Sequence, residues 1–235
     1  MGGRGSPSRV TVTVKLKPGD IPGSTKKEAE ASKKEAEEPK TKKPMTLEEY
    51  LGPKGKPMNS VEAARGANPH YMESVKSRDR KYTYNCQRCV WATELRRRGY
   101  DVEAMARTSD DTYAMADPSV PHSYLNVSKP PIKLTTIGSL FYKAKAKDVK
   151  AEILKHGEGS RGMITMRTWK SGHVCNWEVK NGKVLIYDGQ INQTHTLSNL
   201  IKRGYFMFKI GRMDHIPTSD LSDPLIRDFV KRSGT

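Results

Sequence analysis

The sequence predicts an α+β fold in which a helix that opens on a cysteine packs on an antiparallel sheet. Two observations carry this. From Cys86 to about Arg98 the residues Cys86, Cys89, Val90, Thr93 and Leu95 recur at helical spacing, and Gly99 follows as a stop signal. After residue 160 the pattern changes to short apolar runs separated by turn residues, with Asn181-Gly182 a strong two-residue hairpin signal. Helices followed by a run of strands give segregated layers rather than a βαβ repeat.

Each element has a local reason. Thr46-Leu47-Glu48-Glu49 reads as a capping box, with Thr46 as N-cap and Glu49 three residues on, and Gly52-Pro53 ends that short helix. Asn59 to Ala64 is a second short helix, closed by Gly66 and Asn68-Pro69, and Tyr82 to Asn85 is a brief extended approach. Beyond Gly99, Asp101 to Met105 reads as a strand. Residues 108–136 are rich in Asp, Ser and Pro and read as a loop, and Ile137 to His156 as a helical region with a basic exposed face. Strands are expected at Gly162–Trp169, His173–Val179, Lys183–Tyr187 and Tyr205–Ile210. A short helix is expected at Leu197–Ile201 and a terminal one from Asp220.

Residues 1–44 have a different character. Val10 to Leu16 alternates like a strand, and Ser24 to Lys43 is nearly all Lys, Glu, Ala, Ser and Pro with no apolar face. The reading is a charged, flexible segment over 1–44 and one folded domain over 45–235, with an insertion at about 107–160.

The 235-residue chain has a formal net charge of +16, and only 35% of its residues are hydrophobic. Mean hydropathy is -0.74. This basicity raises nucleic acid, acidic proteins and anionic surfaces as partners, but the cations are scattered rather than striped. Three cysteines, two of them in Cys86-x-x-Cys89, do not make a disulfide framework, so a reducing compartment is expected. No apolar run reaches membrane-span length, and the amino terminus carries no signal-peptide stretch. Met1-Gly2-Gly3-Arg4-Gly5-Ser6 formally fits a myristoylation pattern, which a glycine-rich start explains more simply.

Three short motifs carry chemistry. Asn85-Cys86 places a thiol at the first position of a helix, where the dipole favours thiolate. Gly172-His173 places an imidazole at the head of a strand. Asp188 ends the next strand, which the Asn181-Gly182 hairpin folds back beside the first, so that Asp188 is expected near Val174 or Glu178. A thiol nucleophile, an imidazole base and an acid that orients the imidazole are the parts of a papain-type site. Gln190 lies two residues past Asp188, a candidate amide for substrate or oxyanion.

These motifs, taken in order, resemble the papain-fold toxin family of glutamine deamidases found in bacterial polymorphic toxins, secreted effectors and prophages. The resemblance rests on Asn85-Cys86, on Arg96 to Ala104 (Arg-Arg-Arg-Gly-Tyr-Asp-Val-Glu-Ala), on Gly172-His173 with Asn176, and on Asp188 with Gln190, and covers roughly residues 59–210. It implies a papain-like core with Cys86 as nucleophile, His173 as general base and Asp188 as its orienter. The expected chemistry is attack on a carboxamide carbon, release of ammonia and hydrolysis of a thioester, without a cofactor. Proteolysis and transglutamination use the same intermediate. Residues 80–84 hold no glutamine before the cysteine, so the oxyanion donors are expected to be backbone N–H groups or Gln87 or Gln190, with Asn85 beside them. The implied partners are a protein bearing a reactive glutamine, and a cognate immunity protein or a phage particle. The implied setting is the bacterial cytoplasm, a target cell or the virion.

Other readings use the same residues. Cys86, Cys89, His173 and Cys175 form a tetrahedral zinc set on paper, in a zinc-stabilised nucleic-acid binder. A phage structural or adaptor protein carrying a degenerate papain-like domain is another. Cys89 is the other candidate thiol. His70, His122, His156, His195 and His215 read as surface residues, Trp91, Trp169 and Trp177 as core, and Arg96-Arg97-Arg98 as a charge run at a helix end that could instead meet phosphate.

Overall fold

The computed structural model describes residues 45–107 and 125–235. The expected strand at Val10–Leu16, the charged segment 1–44, part of the proposed insertion and His122 lie outside that range.

Helix α1 (Leu47–Leu51) has the full capping box. Thr46 N–H donates to the Glu49 carboxylate at 2.7 Å, and Glu49 N–H donates back to Thr46 Oγ1 at 3.2 Å. Helix α2 (Ser60–Ala67) is capped by Asn59, whose side chain accepts from Glu62 N–H at 2.9 Å. A further short helix, α3 (Tyr71–Ser77), has no side-chain cap, which is why sequence signals passed over it. Helix α4 (Cys86–Arg97) is buried from Gln87 through Arg96, polar residues included. Gly99 ends it in the left-handed region at φ +100°, and a Cβ there would collide with the Gly55 carbonyl. The small pair β1 (Val102–Ala104) and β8 (Val230–Arg232) closes the α4 side.

Among the described residues the main sheet has six strands: β2 (Thr135–Ile137), β3 (Arg161–Arg167), β4 (Gly172–Lys180), β5 (Lys183–Asp188), β6 (Gln193–His195) and β7 (Met207–Arg212). Their spatial order is β2-β7-β3-β4-β5-β6, every pair antiparallel. The hairpin between β4 and β5 turns on Asn181 (φ 53°) and Gly182 (φ 66°), as a type I′ turn requires. The Glu158 carboxylate accepts both of that turn's N–H groups at 2.7 and 3.1 Å.

Two cores flank this sheet. On one face α4 lies over Met163 and Val174, with Val90, Trp91 and Leu95 fully buried. On the other, helices α5 (Ala146–Leu154) and α6 (Leu197–Lys202) cover Ile164, Met166, Cys175, Trp177, Ile186 and Phe208. Strand β4 is therefore buried on both faces from Val174 to Val179, and its sequence does not alternate. A terminal helix, α7 (Asp223–Phe229), leads into β8.

Three expectations change. The helix read over Ile137–His156 is shorter, because Gly138 takes φ +85° against the Phe206 carbonyl, and Lys145 is still extended before α5 begins. The run Arg96-Arg97-Arg98 is absorbed into the fold. Arg96 meets Asp101 at 2.6 Å, Arg97 meets Glu178 at 2.8 Å, and Arg98 meets the buried Glu94 at 2.9 Å, so these guanidinium groups are not a phosphate site. Trp169 is 65% exposed on the β3–β4 turn, leaning on Phe206, while Trp91 and Trp177 are core.

Candidate active site

The site forms where the N-terminus of α4 meets the ends of β4 and β5. Cys86 is the first residue of α4 and partly buried. Asn85 before it does not cap the helix. Its amide faces inward instead, donating to the Met105 carbonyl at 3.1 Å and accepting from Cys89 Sγ at 3.3 Å. Asn176 on β4 donates to the Val90 carbonyl at 3.1 Å, which fixes α4 against the sheet one turn beyond Cys86.

The β4–β5 register pairs Asn176 with Tyr187. Asp188 therefore comes level with Cys175, diagonal to His173 and on the same face. This corrects the expected partners Val174 and Glu178, whose side chains point to the other face. The diagonal brings His173 Nε2 to 2.6 Å from Asp188 Oδ2. On the other flank β6 pairs Gln193 with Asp188, so His195 is the opposite diagonal neighbour, with its Nε2 at 3.3 Å from the same oxygen. The His195 side chain is 4% exposed, a correction to its reading as a surface residue. Its position depends on the β5–β6 turn, where Asn192 adopts φ 53°. That Asn in a turn was the available sequence signal.

The turn after Asp188 is pressed onto α4. Gln190 N–H donates to Asp188 Oδ1 at 3.0 Å, and Gln190 Nε2 donates to Asn85 Oδ1 at 3.4 Å. Asn68 donates to the Gln190 carbonyl at 2.9 Å and to the Tyr82 carbonyl at 2.9 Å. A hydrogen-bonded path thus runs from the residue beside Cys86, through Gln190, to Asp188 and His173. Gln87 lies buried on α4, and its Oε1 has no partner among the described residues.

Electrostatics follow from this packing. Burial would raise the Asp188 carboxyl, but the His173 imidazolium, the two histidine hydrogen bonds and the Gln190 N–H hold it well below the usual carboxylate range. Burial likewise disfavours a charged His173. The Cys175 sulfur and the Asp188 carboxylate against its ring outweigh that, and His173 holds its proton well above the ordinary histidine range. Cys175, two residues from His173 on the same face, lies within hydrogen-bonding reach of the ring, yet burial pushes its thiol up to about 12. Cys89 is pushed well up by burial too. Of the zinc set proposed from sequence, the structure gathers His173 and Cys175 with Asp188, ligand atoms within 4.8 Å of one another. Cys86 and Cys89 are not in that group. A charge on Cys86 would push the Cys175 thiol up further, and burial raises the Tyr205 hydroxyl against the opposing His173 imidazolium.

A helix opening on a cysteine, packed on an antiparallel sheet whose central strands carry a His–Asp pair at their ends, defines a papain-like α+β domain. Residues 84–193 match the family model described as papain fold toxin 1, glutamine deamidase. No curated protein matches the chain. The family implies a protein substrate. Among the described residues, no helix is long and apolar enough to cross a membrane.

Proposed function

We propose that the protein is a glutamine deamidase toxin acting on protein side chains through Cys86, His173 and Asp188. The observation that carries this is the hydrogen-bonded path that ties Asn85, immediately before Cys86, through Gln190 to the Asp188–His173 pair. Accessibility supports the choice of thiol. Cys89 and Cys175 are each 1% exposed, whereas Cys86 is partly exposed at the start of a twelve-residue helix.

In this reading Asp188 accepts the Nε2 proton and favours the charged ring, which leaves Nδ1 to hold the proton taken from the Cys86 thiol. The Cys86 sulfur then attacks the glutamine Cδ, and the carboxamide oxygen becomes an oxyanion. The α4 N-terminal N–H groups are its nearest preorganised donors. Collapse of that adduct breaks the Cδ–N bond, and the imidazolium protonates the departing ammonia. Water then attacks the thioester with His173 as base, giving glutamate and free Cys86.

The test is alkylation of each cysteine by iodoacetamide, read by peptide mass, together with ammonia release from glutamine-containing protein acceptors. Selective labelling of Cys86 that drops in His173→Ala, with ammonia release abolished in Cys86→Ala, is the expected result. Labelling of Cys86 indifferent to His173, or ammonia release that survives Cys86→Ala, would refute the assignment.

A further inference from the structure

Cys175 is a thiol this reaction does not use, and it lies against the His–Asp pair that the reaction does use. Its Sγ, an imidazole nitrogen of His173 and a carboxylate oxygen of Asp188 lie within 4.8 Å of one another. A neutral imidazole, a thiolate and a carboxylate suit zinc, whose bonds of about 2.0–2.3 Å place adjacent ligand atoms roughly 3–4 Å apart. The His173–Asp188 contact of 2.6 Å would open slightly to admit the ion, and no pair of ligand atoms in the cluster is more than 4.8 Å apart. The carboxylate also has the supporting bonds that a ligating acid needs. Gln190 N–H sits on Oδ1 at 3.0 Å, and His195 Nε2 lies 3.3 Å from Oδ2. Strands β4 and β5 carry all three groups, so the cluster is built on the sheet rather than on loops.

We propose that His173, Cys175 and Asp188 form a three-ligand site for a thiophilic divalent cation of the zinc class. Three bonds form, to sulfur, to an imidazole nitrogen and to a carboxylate oxygen. The Cys175 thiol proton passes to solvent, and the ring binds as the neutral imidazole with its remaining proton on the other nitrogen. No oxidation change occurs. The fourth position faces the His173 side, the most open part of the cluster, with His173 16% exposed against 2% for Asp188. Because the metal takes the His173 nitrogen or its Asp188 partner, occupancy and general-base catalysis exclude each other. That last consequence rests on the proposed triad; the site itself does not.

The full chain has three cysteines, so Cys86→Ser combined with Cys89→Ala leaves Cys175 as its sole thiol. Co²⁺ titrated into that variant, and into the wild type, reports on sulfur ligation through its near-ultraviolet thiolate-to-metal absorption. Saturation at one ion per chain in both proteins is expected, with at least tenfold weaker binding in His173→Ala. No thiolate band in the sole-thiol variant would overturn the site, as would binding unchanged in His173→Ala. This readout needs no enzymatic activity, so its failure is separate from failure of the deamidase reading. If both hold, Zn²⁺ slows Cys86 alkylation in the wild type to the rate of His173→Ala.

Discussion

His195 and Asp188 are joined across the β5–β6 ladder, His195 Nε2 lying 3.3 Å from the carboxylate oxygen that His173 also engages. One acid thus serves two imidazoles, from strands on either side. His195 shares the carboxylate from the neighbouring strand and acts through it, which makes it a positioning residue. In His195→Phe one of the hydrogen bonds to Asp188 is lost and more of its charge falls on His173, which then keeps its proton to higher pH. The alkaline limb of the Cys86 alkylation profile is expected to move up in His195→Phe and to return in His195→Gln, which restores a donor. A limb that stays in place in His195→Phe would refute the coupling.

Asp188→Asn is expected to remove the orienting charge and reverse the ring tautomer while preserving shape. Loss of deamidase activity of about 10²–10⁴-fold is expected, the range for a general base taken out of alignment. The measurement is ammonia release at saturating acceptor, with thermal melting to confirm the fold.

The same pair sets a pH window for stability. Asp188 is held below its ordinary value of 3.8, so it stabilises the folded state above that pH, and the contribution is lost as pH falls toward the folded value. His173 is held above 6.5, so its contribution is complete below that pH and is lost as pH rises through the folded value. The two overlap between about pH 4 and 6.5. Subtracting the Tm-versus-pH curve of His173→Ala from that of the wild type should give a maximum there, and a flat difference would contradict the pair.

Gly189 follows Asp188 where the turn touches α4, and a Cβ there would stand 2.5 Å from Thr93 Oγ1 and 3.1 Å from Ala67 Cβ. Gly189→Ala is expected to cost about 1–3 kcal/mol through overpacking, and to displace Asp188 with it. Thr93→Ala should recover part of that loss in a double-mutant cycle measured by urea unfolding, since Ala67 remains in the way.

Glu94 is 2% exposed and is held by Arg98 at 2.9 Å and Arg161 at 3.2 Å, joining α4 to β3. Glu94→Ala leaves two guanidinium groups without their acid, and a loss of about 3–5 kcal/mol is expected. The midpoint of urea unfolding is the check.

Much of the layout was legible because it rests on local signals. The Thr46 box, the Asn59 cap, the Asn181-Gly182 turn and the Gly99 stop act over a few residues, and each appears in the structure as read. The β5–β6 hairpin and α3 were missed because their turn and cap signals are weaker. His195 and Trp169 were misplaced for a different reason: hydropathy cannot say whether a polar residue meets a buried acid or an aromatic one meets solvent.

The sequence by itself determined the α+β class, the helix that opens on Cys86, and the hairpin that returns Asp188 beside the His173 strand. All three depend on periodicity and turn chemistry within one segment. Only the tertiary structure decided which of the three thiols stays accessible, that Asp188 stands level with Cys175 and bridges two histidines, and that Gln190 ties Asp188 to Asn85. Register is a relation between strands, and burial is a relation between layers. Neither is written in the spacing of residues along one strand.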